Sequence, residues 1–308
     1  MSGRVLVGYT ATKSGRDAVA VGARLATATG STLEVAVVLP APRSVITPPN
    51  AGYERLLRDQ AREWIAAAID RIPADLVAHA HVRTGDSFAE TLTGLAHELG
   101  ARMIVVGAAG DALRGRHRLG ATASELVHSS DVSVVLVPRG ARKVAADIGI
   151  PRLTVAVGTR PGADVLMEDA AALATATGAP VRLLSLLAID LPPTADTGAI
   201  RIAGSTEVHD VLAAARTTLP DRLDVDVHVA EGESIEDAVA DLEWNPGELL
   251  LVGSSRLAQP RRLFLGSTVA KMLHEVPVPV VVVPRTRGGA PASAAAVPAS
   301  AADKEGRR

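Results

Sequence analysis

The stretch Gly107–Ala121 reads GAAGDALRGRHRLGA and follows the apolar run Met103–Val106, MIVV. An apolar run that breaks at a glycine, then a polar loop, then a second glycine before a segment with helical spacing reads as strand, loop, helix. A second stretch, Gly253–Ser267, reads GSSRLAQPRRLFLGS and follows Leu249–Val252, LLLV. Both carry glycine at their first and fourteenth positions, and only the first carries one at its fourth, Gly110.

The correspondence extends well beyond these loops. The hexapeptide LATATG occurs at Leu25–Gly30 and again at Leu173–Gly178, 148 positions on. Gly107 and Gly120 recur as Gly253 and Gly266, 146 positions on, and the Val-rich runs that close at Pro138 and Pro284 keep the same spacing. Independent landmarks that hold one offset within two residues identify an internal repeat. The chain is one unit of about 140 residues written twice.

Each unit alternates strand and helix signals. In the first, strands are expected at Arg4–Tyr9, Leu33–Leu39, Leu76–Val82, Met103–Val106 and Val132–Val137. Between them, a helix is expected over Tyr53–Arg71, with Leu56, Leu57, Trp64, Ala67 and Ala68 along its apolar face. In the second, helices are expected near Glu207–Leu219 and Ile235–Trp244, and Pro192–Ser205 reads as a long loop. Strands alternating with helices call for a mostly parallel sheet covered on both faces. The expected division is a first domain over 1–140, a linker, a second domain over 151–285, and a disordered Ala/Pro-rich tail over 286–308.

Composition narrows the function classes. Apolar residues make up 47% of the chain and aromatics only 2%, so the core is built from Ala, Val and Leu. There are no cysteines, which excludes disulfides, thiolate metal sites and cysteine nucleophiles. A net charge of −2 gives no field for bulk nucleic-acid binding. No apolar run reaches the ~20 residues that a membrane-spanning helix needs. The expectation is a cytoplasmic protein with neither membrane nor nucleic acid as partner.

In an open parallel sheet, ligands sit beyond the carboxyl ends of the strands, where strand order reverses. Gly107 and Gly253 stand at such ends, and Gly120 and Gly266 open the helices that follow. The N–H groups and dipole of a helix N-terminus favour phosphate. Ser267 and Thr268 add hydroxyls. Arg114, Arg116, His117 and Arg118 make the first loop basic, and Arg256, Arg261 and Arg262 the second. Glycine, basic loop and helix start together suit a nucleotide phosphate; turn-forming glycines in a plain connection are the alternative.

The pattern G-x2-G-x9-G-[S/T] resembles the ATP-binding motif of the universal stress protein family. VLVGYT and TVAVGT at the first strands, and RTGDSF and AEGESI after the third, strengthen the likeness. The resemblance covers both units. It implies an α/β fold of two tandem Rossmann-like or flavodoxin-like (adenine nucleotide alpha hydrolase-like) units, each with a five-stranded mostly parallel sheet flanked by helices. It also implies a stress-response regulatory or sensing module that binds ATP or another adenine nucleotide and is not an enzyme, any ATP hydrolysis being weak; a Mg requirement is left open. The fifth strands commonly mediate dimerisation in this family. Pairing of Val132–Val137 with Val278–Val283 inside one chain would therefore make a pseudo-dimer, with a homodimer as a further option.

Transferred residue by residue, the resemblance marks Thr10, Val38, Gly107, Gly110, Gly120, Ala121 and Thr122 in the first unit. In the second it marks Thr159, Leu186, Gly253, Arg256, Gly266, Ser267 and Thr268. There are departures. Thr10 and Thr159 stand where ATP-binding members have Asp. Ala121 replaces the terminal hydroxyl residue, with Thr122 next to it, and Arg256 replaces the middle glycine. These losses support a rival reading, a non-nucleotide protein that acts through an unknown protein partner. A nucleotidyl-transfer enzyme is a third class, and it would need metal-dependent turnover. No catalytic or metal-binding residues are expected: His79 and His81 read as a polar strand face, and no HExxH or G-x-S-x-G pattern occurs.

Overall fold

The computed structural model describes residues 3–41, 51–109, 115–158, 163–188, 197–254 and 265–284, with backbone only at 51, 188 and 197–205. The expected tail lies outside them.

The first unit runs β1 (Arg4–Gly8), α1 (Lys13–Thr29), β2 (Thr32–Pro40), α2 (Ala51–Ile69), β3 (Ala78–Gly85), α3 (Phe88–Leu99), β4 (Met103–Gly107), α4 (Ala121–Ser129) and β5 (Ser133–Val137). Two 3-10 turns, Ala141–Lys143 and Ala146–Ile148, lead to the second unit. That unit runs β6 (Leu153–Ala156), α5 (Asp164–Thr177), β7 (Val181–Ala188), α6 (Thr197–Thr217), β8 (Val225–Gly232), α7 (Ile235–Ala240), β9 (Leu249–Gly253), α8 (Ser267–Glu275) and β10 (Val280–Val283).

The ten strands form one sheet in the order β3-β2-β1-β4-β5-β10-β9-β6-β7-β8. Within each half the order is 3-2-1-4-5, the Rossmann rather than the flavodoxin arrangement, and every pairing is parallel. The halves meet where β5 and β10 run antiparallel, with Val280 opposite Leu136, Val281 opposite Val135 and Val282 opposite Val134. The internal pairing expected of the fifth strands is therefore present. Because it is antiparallel, the carboxyl ends of the two sets of strands point to opposite sides of the sheet.

All five residues of β5 and all four of β10 are buried. Covering each strand with the other removes two apolar edges that would otherwise invite another chain. One core layer on each face of the sheet runs through both units, since Val135 and Val281 belong to one and Val134, Val280 and Val282 to the other. The outer edges, β3 and β8, carry the exposed His79, the part-buried His81 and Arg83, and the exposed Asp226 and His228. Charged edges resist strand addition.

Some expected boundaries shift, each for a local reason. β3 begins two residues later than expected because a turn precedes it, Leu76 N–H donating to the Pro73 carbonyl, and a matching turn, Leu223 N–H to the Pro220 carbonyl, precedes β8. The buried face of α2 consists of Ala61, Ile65 and Ala68; Leu56 and Trp64, expected on it, are exposed. Helix α6 starts at Thr197, inside the segment expected to be a loop. Helix α7 ends at Ala240, short of Trp244, whose ring lies 5.0 Å from the Arg182 guanidinium.

Candidate functional site

Helix ends decide what the glycine loops offer. In the first unit, Thr12 caps α1 by accepting from Gly15 N–H at 3.1 Å, and Ser87 caps α3. In the second, Ser234 caps α7. Helices α4 and α8 instead start from Gly120 and Gly266, and neither has a side-chain cap. The first-turn N–H groups of a helix have no intrahelical acceptor, so these two ends suit an external anion.

A cavity of about 300 Å³ opens beside α4. It lies at the reversal of strand order between β1 and β4, where a doubly wound fold places its ligands. Its walls join the β1–α1 turn (Thr10, Thr12, Ser14), the end of β4 (Gly107) and the start of α4 (Gly120, Ala121, Thr122). Val38 from β2 and Phe88 and Leu92 from α3 complete an apolar side. Thr10 Oγ1 and Thr12 Oγ1 lie 3.0 Å apart and share a hydrogen bond. Hydroxyls and backbone therefore gather at one end, apolar side chains at the other, and no carboxylate, imidazole or lysine lines the space among the described residues. Such a lining can bind a ligand, and its described residues present no general base.

The two glycines of this loop do different things. A Cβ on Gly107 would sit 2.4 Å from the Ser14 carbonyl oxygen, so Gly107 lets the start of α1 pack directly on β4. Close helix–strand packing is one reason for glycine there, and the residue also lines the cavity. Gly120 has ordinary extended torsions (φ −80°, ψ 173°), and the nearest atom to its added Cβ is 3.9 Å away. Neither backbone strain nor crowding requires glycine there, and the space over the helix end stays open.

Six of the expected residues, Thr10, Val38, Gly107, Gly120, Ala121 and Thr122, meet at this cavity. Gly110 lies outside the described residues, as do Thr159 and Arg256. In the second unit, Gly253 ends β9, Gly266 precedes α8, and Ser267 and Thr268 are exposed on its first turn. Leu186 packs among apolar neighbours beside Trp244. Gly253 has room its twin lacks, the nearest atom to an added Cβ being Leu166 Cδ2 at 3.7 Å.

Two basic residues of the first loop, Arg116 and His117, do not act as the sequence suggested. Arg114 lies outside the described residues. Arg116 turns to the second unit, where it donates to the His274 carbonyl and pairs with Glu275 at the end of α8. His117 is buried, and its Nε2–H donates to the Val278 carbonyl at 2.7 Å. Burial pushes its pKa down from 6.5 to about 4, against a smaller upward pull from that hydrogen bond. Two of the expected phosphate-gripping side chains are thus spent on joining the units.

A buried carboxylate elsewhere is also paired. Asp17 of α1 accepts from Gly140 N–H at 2.8 Å, from Arg142 N–H at 3.1 Å and from the Arg142 guanidinium at 2.7 Å, which pins the linker to the first unit. Sequence reading had no signal for this, since more than a hundred residues separate the partners.

The universal stress protein family model matches residues 1–138 and 149–284. The chain belongs to the universal stress protein family. It is 28% identical over 292 residues to universal stress protein Rv2319c of Mycobacterium tuberculosis, covering 91% of this chain and 99% of that one. Universal stress protein Mb2346c of Mycobacterium bovis matches equally. The crystal structure of a universal stress protein from Archaeoglobus fulgidus superposes with a TM-score of 0.58 at 18% identity, over 92% of this chain and 98% of that one. That likeness speaks to the fold. Among the described residues no helix is long and apolar enough to cross a membrane, and no cluster of three or more His, Asp or Glu could hold a metal ion.

Proposed function

We propose that this universal stress protein binds an adenine nucleotide in the first unit's cavity and acts as a cytoplasmic stress-response module without rapid turnover. Phosphate oxygens would cap α4 at Gly120, Ala121 and Thr122. The base would lie on the apolar side formed by Val38, Leu92 and Phe88. The ribose would face Thr10, which stands where an acidic residue is usual in the family, and Thr12 beside it. The observation that carries this reading is Gly120: an uncapped helix end at an open cavity, with glycine where the fold does not need one.

The test is mass spectrometry of denatured, freshly purified protein, together with thermal shift on adding ATP with and without Mg. Bound ligand stabilises by RT ln(1 + [L]/Kd), about 2.7 kcal/mol at a hundredfold excess over Kd. Gly120→Asp places a carboxylate on the phosphate position and should abolish that shift while the protein still folds. No co-purified nucleotide and no shift would refute the reading.

Thr10 and Ala121 favour a second reading, a site that has lost its ligand and a protein that works through a protein partner. Thr10→Asp with Ala121→Ser separates the two. If the double variant gains an ATP response absent from the parent, the natural site is degenerate.

A further inference from the structure

We propose that the junction between the two units holds a second ligand site, built for a small α-amino acid with an apolar side chain. A cavity of about 170 Å³ lies where the strand starts of the first unit meet α5 and the strands of the second. It sits at the opposite end of β1 and β4 from the nucleotide cavity, so the proposal is independent of the nucleotide reading. The volume exceeds the ~10–15 Å³ that one water needs. It falls below the ~300–1,000 Å³ of drug-sized sites. An occupant of amino-acid size is what remains.

The repeat explains why the space exists. The cavity is walled by Asp169, Ala172 and Leu173 of α5. The offset of 148 places Val21, Arg24 and Leu25 of α1 at the equivalent positions. Arg24 is buried, and its Nη2 has no hydrogen-bond partner. A long side chain thus occupies the twin position, where α5 presents only the methyl group of Ala172. Burial lowers the Arg24 pKa, the expected direction for a cation held in an apolar packing position. The repeat gives one copy of this position a long buried side chain, and a cavity lies beside the other.

The lining chooses the ligand. Leu173, Leu251 and Val281 give an apolar floor that suits an aliphatic side chain. Arg102 is exposed at the rim and makes no ion pair among the described residues, so it is available to a carboxylate. Arg4, the other guanidinium, is already held by Glu34 at 3.3 Å and by the Leu99 carbonyl. Asp169 accepts from Ser133 Oγ at 3.4 Å and has a further partner besides; a carboxylate has about four acceptor sites, so an ammonium can share it. One cation, one anion and an apolar floor match a zwitterion better than a simple acid or amine.

Calorimetric titration of the full chain with L-leucine, 4-methylpentanoate and isopentylamine tests this. Leucine should bind at least about tenfold more tightly than either singly charged analogue, a difference of ~1.4 kcal/mol. Arg102→Ala should weaken leucine binding by a similar factor. Asp169→Asn should narrow the preference for leucine over 4-methylpentanoate. Ala172→Arg, which copies Arg24 into the open junction, should abolish leucine binding; Ala172→Leu serves if the arginine variant does not fold. The proposal is overturned if leucine at ~10 mM gives no heat or stabilisation, if binding persists unchanged in a folded plugged variant, or if all three probes bind alike.

Discussion

Glu34 on β2 and Arg182 on β7 hold the same place in the two halves, opposite Leu6 and Thr154 respectively, yet they carry opposite charges. Both are buried. Glu34 draws on Arg4 at 3.3 Å, His79 at 3.3 Å and His81 at 2.7 Å, and the first two of these partners are roughly half exposed. Arg182 relies chiefly on Glu248, at 2.9 Å and with no exposed surface. Glu248 also accepts from Thr154 at 2.6 Å, from Arg152 at 2.8 Å and from Asn245 N–H at 2.9 Å. Duplication preserved the strand and the cavity for a polar side chain, while each copy neutralised its own charge with different neighbours. The wetter solution should tolerate damage better than the dry one.

That comparison gives the largest expected effect. Glu248→Ala strands Arg182 in a desolvated site and leaves Thr154 without its acceptor. Breaking a buried pair from one side costs about 3–5 kcal/mol. Glu34→Ala should cost clearly less, because Arg4 and His79 can turn to water. Urea unfolding of the two variants measures both. Equal losses, or the reverse order, would break the distinction between a wet and a dry solution.

The copies differ again where they touch. His117 makes its buried contact with Val278 from the first unit, while the offset of 146 places Leu263 at its twin position, which cannot titrate. The folded pKa of His117 is depressed to about 4 from an ordinary 6.5. Between those values the unfolded chain binds a proton that the folded chain excludes, so stability falls as pH drops through this window and levels off below it. At 1.36 kcal/mol per pKa unit the loss is about 3 kcal/mol. His117→Gln keeps an N–H for the Val278 carbonyl and cannot charge. Unfolding curves from pH 7 to pH 4 should therefore show the wild type losing about 3 kcal/mol more than the variant. Parallel curves would mean that the junction is open enough to hydrate the imidazole.

Much of this was legible in the sequence because it is written in spacing. The repeat, the alternation of strand and helix and the sheet class follow from periodicity and from two constant offsets; the pairing of the Val-rich fifth strands is what the family resemblance implies. Side-chain assignments across the sheet are another matter. Arg116 and His117 read as phosphate ligands because a basic loop beside glycines has that meaning locally; their partners Glu275 and Val278 lie about 160 residues on. His79 and His81 read as a polar face, and only the register between β2 and β3 shows that both reach Glu34. In α2, helical spacing placed Leu56 and Trp64 inside, but the sheet is covered by Ala61, Ile65 and Ala68. Local pattern fixes the element, whereas contact partners depend on topology.

The glycines that end β4 and β9 give the smallest effect and the sharpest contrast. Both were read as one feature copied twice, and in the alignment of the halves they are one. In the first unit, alanine at position 107 would press a methyl into the backbone of Ser14, which cannot rotate away. Overpacking of this kind costs about 1–3 kcal/mol, and it would shift the β1–α1 turn that carries Thr10 and Thr12 to the cavity. In the second unit, alanine at position 253 would meet only Leu166 at an ordinary 3.7 Å. Gly107→Ala should therefore lower the urea midpoint and weaken any ATP-induced shift, and Gly253→Ala should do neither. If Gly253→Ala proves equally harmful, its glycine is kept for close approach to something other than Leu166.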